Sequence, residues 1–145
     1  MSDWWQWSPI KANQKLGFAV VGIGRFGSAV CRELLRNGAD VLAVDSSEKA
    51  IEELRQLEPT IEARVVDSTD EESMKEAGVL EMGTVVVGIS EPIEASITTT
   101  LIAKDTEGSL VKQVIARATS DLHEKMLKRV GADRVCLLYT SDAAG

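Results

Sequence analysis

Residues 18–30, "FAVVGIGRFGSAV", carry an apolar run straight into Gly22, Gly24 and Gly27, with a helical pattern beyond them. G-x-G-x-x-G between a strand and a helix leaves few folds open. The first glycine permits a tight turn, the second lets a phosphate approach the backbone, and the third lets helix and strand pack closely. The helix that opens there offers free N–H groups and a partial positive charge to an anion. Ile23, Arg25 and Phe26 fill the rest of the loop. Alone, the spacing is a weak signal. Here a second strand, "DVLAVD", ends in Asp45 about 20 residues further on, followed by Ser46, and that order makes it strong.

The rest of the chain repeats the alternation. Strands are expected at 18–23, 40–45, 62–67, 84–89 and 111–117, with a short sixth in "DRVCLL". Their near-continuous Val/Ile/Ala content is that of strands covered on both faces. Helices are expected between them: one carrying Phe26, Val30, Leu34 and Leu35 on a single face, then 48–57, 70–78, 92–106 and 120–131. Regular βαβ order with right-handed crossovers implies an α/β fold, a Rossmann-like doubly wound parallel β-sheet with helices on both faces. Asn37-Gly38 and Gly131 read as helix stops, Asp70 as an N-cap, and Pro92 as a first-turn residue of the fourth helix.

In such a sheet ligands lie outside the carboxyl ends of the strands. Asp45 is expected to accept hydrogen bonds from both ribose hydroxyls. It would repel a 2′-phosphate, and no arginine follows to receive one, so NADP is disfavoured against NAD(H), ATP or ADP. Arg25 pairs with additional phosphate charge, reaches a nucleotide in a neighbouring subunit, or is a solvated loop tip. Asp67, Ser68 and Thr69 close the third strand on the same edge, either meeting an adenine amino group or capping the next helix. Arg117 ends the fifth strand, facing phosphate or held in an ion pair. The sole histidine, His123, has charged neighbours and is expected to be solvated or partner-facing. Cys31 is expected to be a small buried thiol. No Ser-His-Asp, Cys-His or metal-ligand set is evident, so binding without turnover is the expected mode.

Composition narrows the classes further. The 145 residues are 44% hydrophobic with a formal net charge of −7, 16 basic against 23 acidic residues. That balance supplies no basic stripe for nucleic acid. No apolar run reaches about 18 residues, and no secretion signal is evident, so a cytoplasmic location is expected. Two ends stand apart from the domain at 16–135. Residues 1–15 form an arm carrying Trp4, Trp5 and Trp7, which docks on a partner or folds back on the domain. Residues 136–145, "CLLYTSDAAG", match the in-frame translation of a transposase sequencing adapter, so native sequence is expected to end near Val135 and to continue differently.

"FAVVGIGRFGSAVCRELLRNGADVLAVD", "VVDSTDEESMKEAGV", "VVVGISEPIEASITTTLIAK" and "KMLKRVGADRV" together resemble the N-terminal domain of RCK proteins, regulators of potassium conductance that include the cytoplasmic gating subunits of Trk/Ktr potassium uptake systems. The likeness spans roughly residues 16–135. It implies a homo-oligomer, from dimer to octameric ring, beneath a membrane-embedded potassium translocating subunit on the inner face of the membrane. Exchange of ATP for ADP, or NADH for NAD, would change its shape. Carried over by position, Gly22, Gly24, Arg25, Phe26 and Gly27 hold phosphates, Asp45 the ribose, and Asp67 to Thr69 lie near adenine. Ser90, Glu91 and Ile93 lie over the nucleotide, with Arg117 on the phosphate side. The family usually continues past "GADRV" into an acidic segment and a second domain, and the Trp-rich arm is foreign to its motifs. The competing reading is the NAD-binding half of a truncated dehydrogenase.

Overall fold

The computed structural model describes residues 17–138. Strands and helices alternate through them as β1 (Phe18–Val21), α1 (Arg25–Arg36), β2 (Val41–Asp45), α2 (Glu48–Leu57), β3 (Glu62–Val65), α3 (Glu71–Ala77), β4 (Thr84–Val87), α4 (Ile93–Asp105), β5 (Gln113–Ala118), α5 (Asp121–Arg129) and β6 (Arg134–Leu137). The six strands form one parallel sheet in the order β3-β2-β1-β4-β5-β6. This is the expected doubly wound architecture. The chain winds outward from β1 to β3, then returns to β4 on the other side of β1. The sheet therefore has its topological switch point between β1 and β4.

Strand alternation sorts the core into two layers. Phe18 and Val20 of β1 face one side, packing with Val30, Cys31 and Leu34 of α1 and Ile51 and Leu54 of α2. Ala19 and Val21 face the other, with Met74, Val79, Ala103 and Leu127. Each fully buried side chain of the Leu, Ile or Phe class contributes roughly 2 kcal/mol. Cys31 belongs to this core as expected, and burial, helped by the charge of Glu58, pushes its thiol up to about 12. β3 departs from the expectation of strands covered on both faces. It is an edge strand, with Glu62, Arg64 and Val65 exposed and only Ala63 turned into the core.

β1 and β4 stop at Val21 and Val87, short of the apolar runs that extend to Ile23 and Ile89. Gly22 turns the chain at φ +96°, and a Cβ there would stand 2.9 Å from the Ile89 nitrogen. The ladder closes with Gly22 N–H donating to Val44 O (2.9 Å) and Gly88 N–H to Val21 O (2.7 Å). The other boundaries follow their caps. Asn37 ends α1 before Gly38 at φ +82°, Gly131 takes φ +116° after α5, and Asp70 accepts from Ser73 N–H at 3.0 Å. Pro92 stands one place earlier than expected, as the N-cap of α4.

"GADRV" has a structural role. The Asp133 carboxylate accepts from Val114 N–H (2.7 Å) and from Lys104 Nζ (3.0 Å), while Asp133 N–H donates to Val114 O (2.8 Å). That clamp sets β6 beside β5. β6 then runs through Cys136 and Leu137, opposite Arg117 and Ala118. Residues 139–145 of the tail, and the arm with its three tryptophans, lie outside the described residues.

α1 lies so close to β1 that a Cβ on Gly27 would overlap the Gly22 carbonyl oxygen, whereas a Cβ on Gly24 would meet nothing within 4 Å. Gly27→Ala is therefore expected to destabilise the domain by about 3 kcal/mol. Gly24→Ala, at a helix N-cap, should change stability by about 1 kcal/mol or less. Urea titrations compare the two variants, and equal losses would contradict this division of labour.

Candidate functional site

A cleft of about 280 Å³ opens at the carboxyl edge of the sheet, at the switch point. Four successive strand exits build it: Val21 to Gly24 after β1, Asp45 and Ser46 after β2, Asp67 to Thr69 after β3, and Gly88 to Pro92 with Ala95 after β4. Of the residues singled out from sequence, the structure gathers Gly22, Ile23, Gly24, Asp45, Ser46, Asp67, Ser68, Thr69, Ser90 and Glu91 in this lining. Arg25, Phe26, Gly27, Ile93 and Arg117 stand outside it. Val21, Gly88, Ile89 and Ala95 line the cleft without having been assigned from sequence, and Pro92 lines it within the 90–93 span expected over the nucleotide. A signal for Gly88 and Ile89 was present: Val87-Gly88-Ile89 repeats Val21-Gly22-Ile23, and the two strands are paired neighbours with Val21 opposite Val87.

The acid at position 45 is bonded within the loop itself. Its Oδ2 accepts from Ile23 N–H at 2.6 Å and its Oδ1 from Ser47 N–H at 2.8 Å. The carboxylate thus ties the glycine loop to the end of β2. Each oxygen still has an acceptor site to spare. Asp67 is held in a similar way: Oδ1 accepts from Thr69 Oγ1 (2.6 Å) and Thr69 N–H (3.0 Å). Those bonds, the hydroxyl first, pull its pKa below the ordinary 3.8. Ser68 is buried, and its hydroxyl meets Thr99 Oγ1 of α4 at 2.8 Å. The N-cap of α3 is Asp70, so the 67–69 segment lines the cleft ahead of the cap.

The N-terminus of α1 points up the electrostatics. Helices α2, α3 and α5 are capped by Ser47, Asp70 and Ser120 and carry acids in their first turns. α1 begins at Gly24 with no side-chain cap and no first-turn acid. Its partial positive charge and unpaired N–H groups are left to the cleft. Arg25 is exposed at its first position. Arg117 lies over the Phe26 ring, its guanidinium carbon 5.7 Å from the centroid, a cation–π contact that joins the end of β5 to the glycine loop.

His123 corrects the sequence reading. It is fully buried, with Nε2 2.7 Å from Ser96 Oγ and Nδ1 accepting from Thr119 N–H at 3.2 Å. Its charged sequence neighbours occupy other faces of α5, while Leu127, four residues on, shares its buried face. That i, i+4 spacing was the signal available. Among the described residues no group of His, Cys, Asp and Glu is arranged to hold a metal, and no helix is long and apolar enough to cross a membrane.

Burial lowers the His123 pKa from its ordinary 6.5. The unfolded chain therefore takes up this proton first, so the contribution is complete above 6.5 and drains away as pH falls toward the lower folded value. The urea midpoint should fall on acidification from about pH 6.5, and His123→Gln should remove that component. Parallel pH profiles for the two proteins would contradict it.

Comparison with known proteins gives this geometry a family context. The model of the TrkA-N domain matches residues 18–138. Ktr system potassium uptake protein C of Bacillus subtilis is 40% identical over 121 residues, covering 83% of this chain and 52% of that protein. Ktr system potassium uptake protein A of Vibrio alginolyticus is 38% identical over 120 residues, with 83% and 52% coverage. The chain spans about half the length of the curated relatives it matches. Among solved structures, the TrkA-N domain of inner membrane protein ybaL from Escherichia coli superposes with a TM-score of 0.75 at 23% identity, over 89% of this chain and 92% of that one. The GsuK channel bound to NAD superposes at 0.70 with 17% identity, over 83% and 21%. Both likenesses concern the fold.

Proposed function

Because the chain belongs to the TrkA-N domain family, we propose that it is the nucleotide-sensing domain of a regulatory subunit of a Ktr- or Trk-type potassium transporter or channel. One observation carries the reading. At the switch point the uncapped start of α1 faces a cleft, and Gly24 in front of it leaves open the volume a side chain would fill. A pyrophosphate suits that space and charge. The spare acceptor sites of Asp45 suit two ribose hydroxyls, and Asp67 to Thr69 form the adenine side of the cleft. Fold neighbours support an adenine nucleotide, since the GsuK channel has been solved with NAD and with ADP. The ligand class is ATP/ADP or NAD(H), and the carboxylate at 45 disfavours the 2′-phosphate of NADP.

In this reading the domain works by binding, without turnover. Copies assemble into a homo-oligomer, from dimer to octameric ring, on the cytoplasmic face of a membrane-embedded potassium translocating subunit. Two nucleotides with unequal affinity for two shapes of that assembly shift the balance by their difference, about 1.4 kcal/mol per site for each tenfold. Arg25, exposed at the start of α1, reaches the terminal phosphate or a nucleotide in the neighbouring copy. Arg117 and Phe26 back the phosphate side as a stacked pair, and Ile93 anchors the segment that covers the ligand.

Calorimetric titration with ATP, ADP, NAD, NADH and NADPH tests the proposal. NADPH should bind about tenfold or more weaker than NADH. Asp45→Ala should weaken every adenine nucleotide by about fiftyfold, the loss of two charge-assisted hydrogen bonds. Arg25→Ala should weaken ATP more than ADP. NADPH binding as tightly as NADH, with Asp45→Ala without effect, would overturn the assignment.

A further inference from the structure

The inward face of α4 carries three hydroxyls ahead of Ala103: Ser96, Thr99 and Thr100 are fully buried where a helix on a sheet ordinarily carries aliphatic side chains. Each hydroxyl has a defined acceptor. Thr100 Oγ1 donates to Ser96 O (2.9 Å), Thr99 Oγ1 to Ser68 O (3.1 Å), and Ser96 Oγ to Ile93 O (2.9 Å). Ser96 Oγ also lies 2.7 Å from His123 Nε2.

The direction of that last bond follows from the other side of the ring. Thr119 N–H is a donor and nothing else, so His123 Nδ1 is an acceptor. The neutral ring therefore carries its proton on Nε2 and donates it to Ser96. A single chain runs Thr119 N–H to Nδ1, Nε2–H to Ser96 Oγ, and Oγ–H to Ile93 O. One end is the exit of β5, just past Arg117. The other is the first residue of α4, directly after Ser90, Glu91 and Pro92 of the cleft wall.

We propose that His123 is a positioning residue for the nucleotide cleft, its neutral Nε2–H form latching the first turn of α4, and with it the Ser90–Pro92 wall, to the end of β5. The inference rests on the nucleotide-binding reading above. A second proton on the ring would sit on Nδ1, donor against donor with Thr119 N–H. The ring would then have to leave its seat, and Ser96 would lose its partner. Its hydrogen-bond partners, Ser96 and Thr119, are both uncharged. Charged groups on the surrounding elements are Glu94, Lys104 and Asp105 of α4, Arg117 of β5, Arg134 of β6, and Asp121, Glu124, Lys125, Lys128 and Arg129 of α5 itself. Burial is what holds the ring neutral.

The test is calorimetric titration of the full chain with NAD and with ADP from about pH 8 to about pH 5.5, on the wild type, His123→Gln and Ser96→Ala. NAD has no phosphate that titrates in this range, and for ADP the ligand's own protonation is common to all three proteins. The wild type should lose affinity progressively as pH falls below about 6.5, beyond any loss in His123→Gln. His123→Gln, whose amide can still donate to Ser96, should stay within about threefold of wild type at the alkaline end. Ser96→Ala, which leaves the ring in place but cuts the chain, should bind about fivefold more weakly even there. Urea titrations of the same proteins separate this from loss of fold, since a purely structural histidine would shift the unfolding midpoint and leave affinity alone. Parallel wild-type and His123→Gln affinity profiles, or full affinity in Ser96→Ala, would overturn the latch while leaving the nucleotide site intact. Failure of the wild type to bind either nucleotide at any pH would overturn both.

Discussion

The contact between Gly27 and the Gly22 carbonyl governs this domain. Because no side chain intervenes, α1 can start directly over the end of β1, and its N-terminus arrives at the switch point rather than beside it. The Asp45 carboxylate then fastens the turn from the other side, through the Ile23 amide. The glycine loop is thus pinned before any ligand is present: Gly22 is committed to β2 through its N–H, and Ile23 to Asp45. Gly24 alone is left facing open space. In the proposed nucleotide-binding reading, a loop pinned in this way needs little reorganisation on binding, which preserves affinity that would otherwise go into ordering it.

The opposite wall is organised by α4. Its buried hydroxyls link the β3–α3 segment, through Ser68, and the β5–α5 segment, through His123, to one helix. Hydroxyl-to-backbone bonds are directional in a way that aliphatic packing is not, so they fix where the helix begins as well as which face it buries. The Ser90–Pro92 segment therefore inherits its position from contacts on both sides. In a domain whose proposed role is to report which nucleotide is bound, such cross-ties offer a route from the ligand to the helices on that face of the sheet.

Much of this was legible in the chain. Strand and helix order followed from Val/Ile-rich runs alternating with helical periodicity, and the glycine spacing located the cleft. What escaped depended on tertiary placement. The exposure of β3 follows from its edge position, which an apolar run does not encode. His123 read as solvated because its neighbours in sequence are charged, yet those neighbours point elsewhere on a helix, and its true partners lie 27 residues away at Ser96 and in the backbone of Thr119. The burial of the α4 hydroxyls was not legible for the same reason, since their acceptors lie on other elements or on the helix's own backbone. Arg117 offered two sequence readings, phosphate or ion pair, and the structure supplies a third partner in the Phe26 ring.

In the proposed function an adenine nucleotide occupies the carboxyl edge of the sheet at the β1/β4 switch point. Backbone amide NMR of the full chain during titration with ADP tests it most directly. Perturbed amides should cluster at Gly22 to Gly27, Asp45 and Ser46, Asp67 to Thr69, and Ser90 to Glu91. Perturbations centred instead on the groove at the opposite edge of the sheet, around Asp40, Ile61 and Met82, would contradict it, as would an unchanged spectrum at saturating nucleotide.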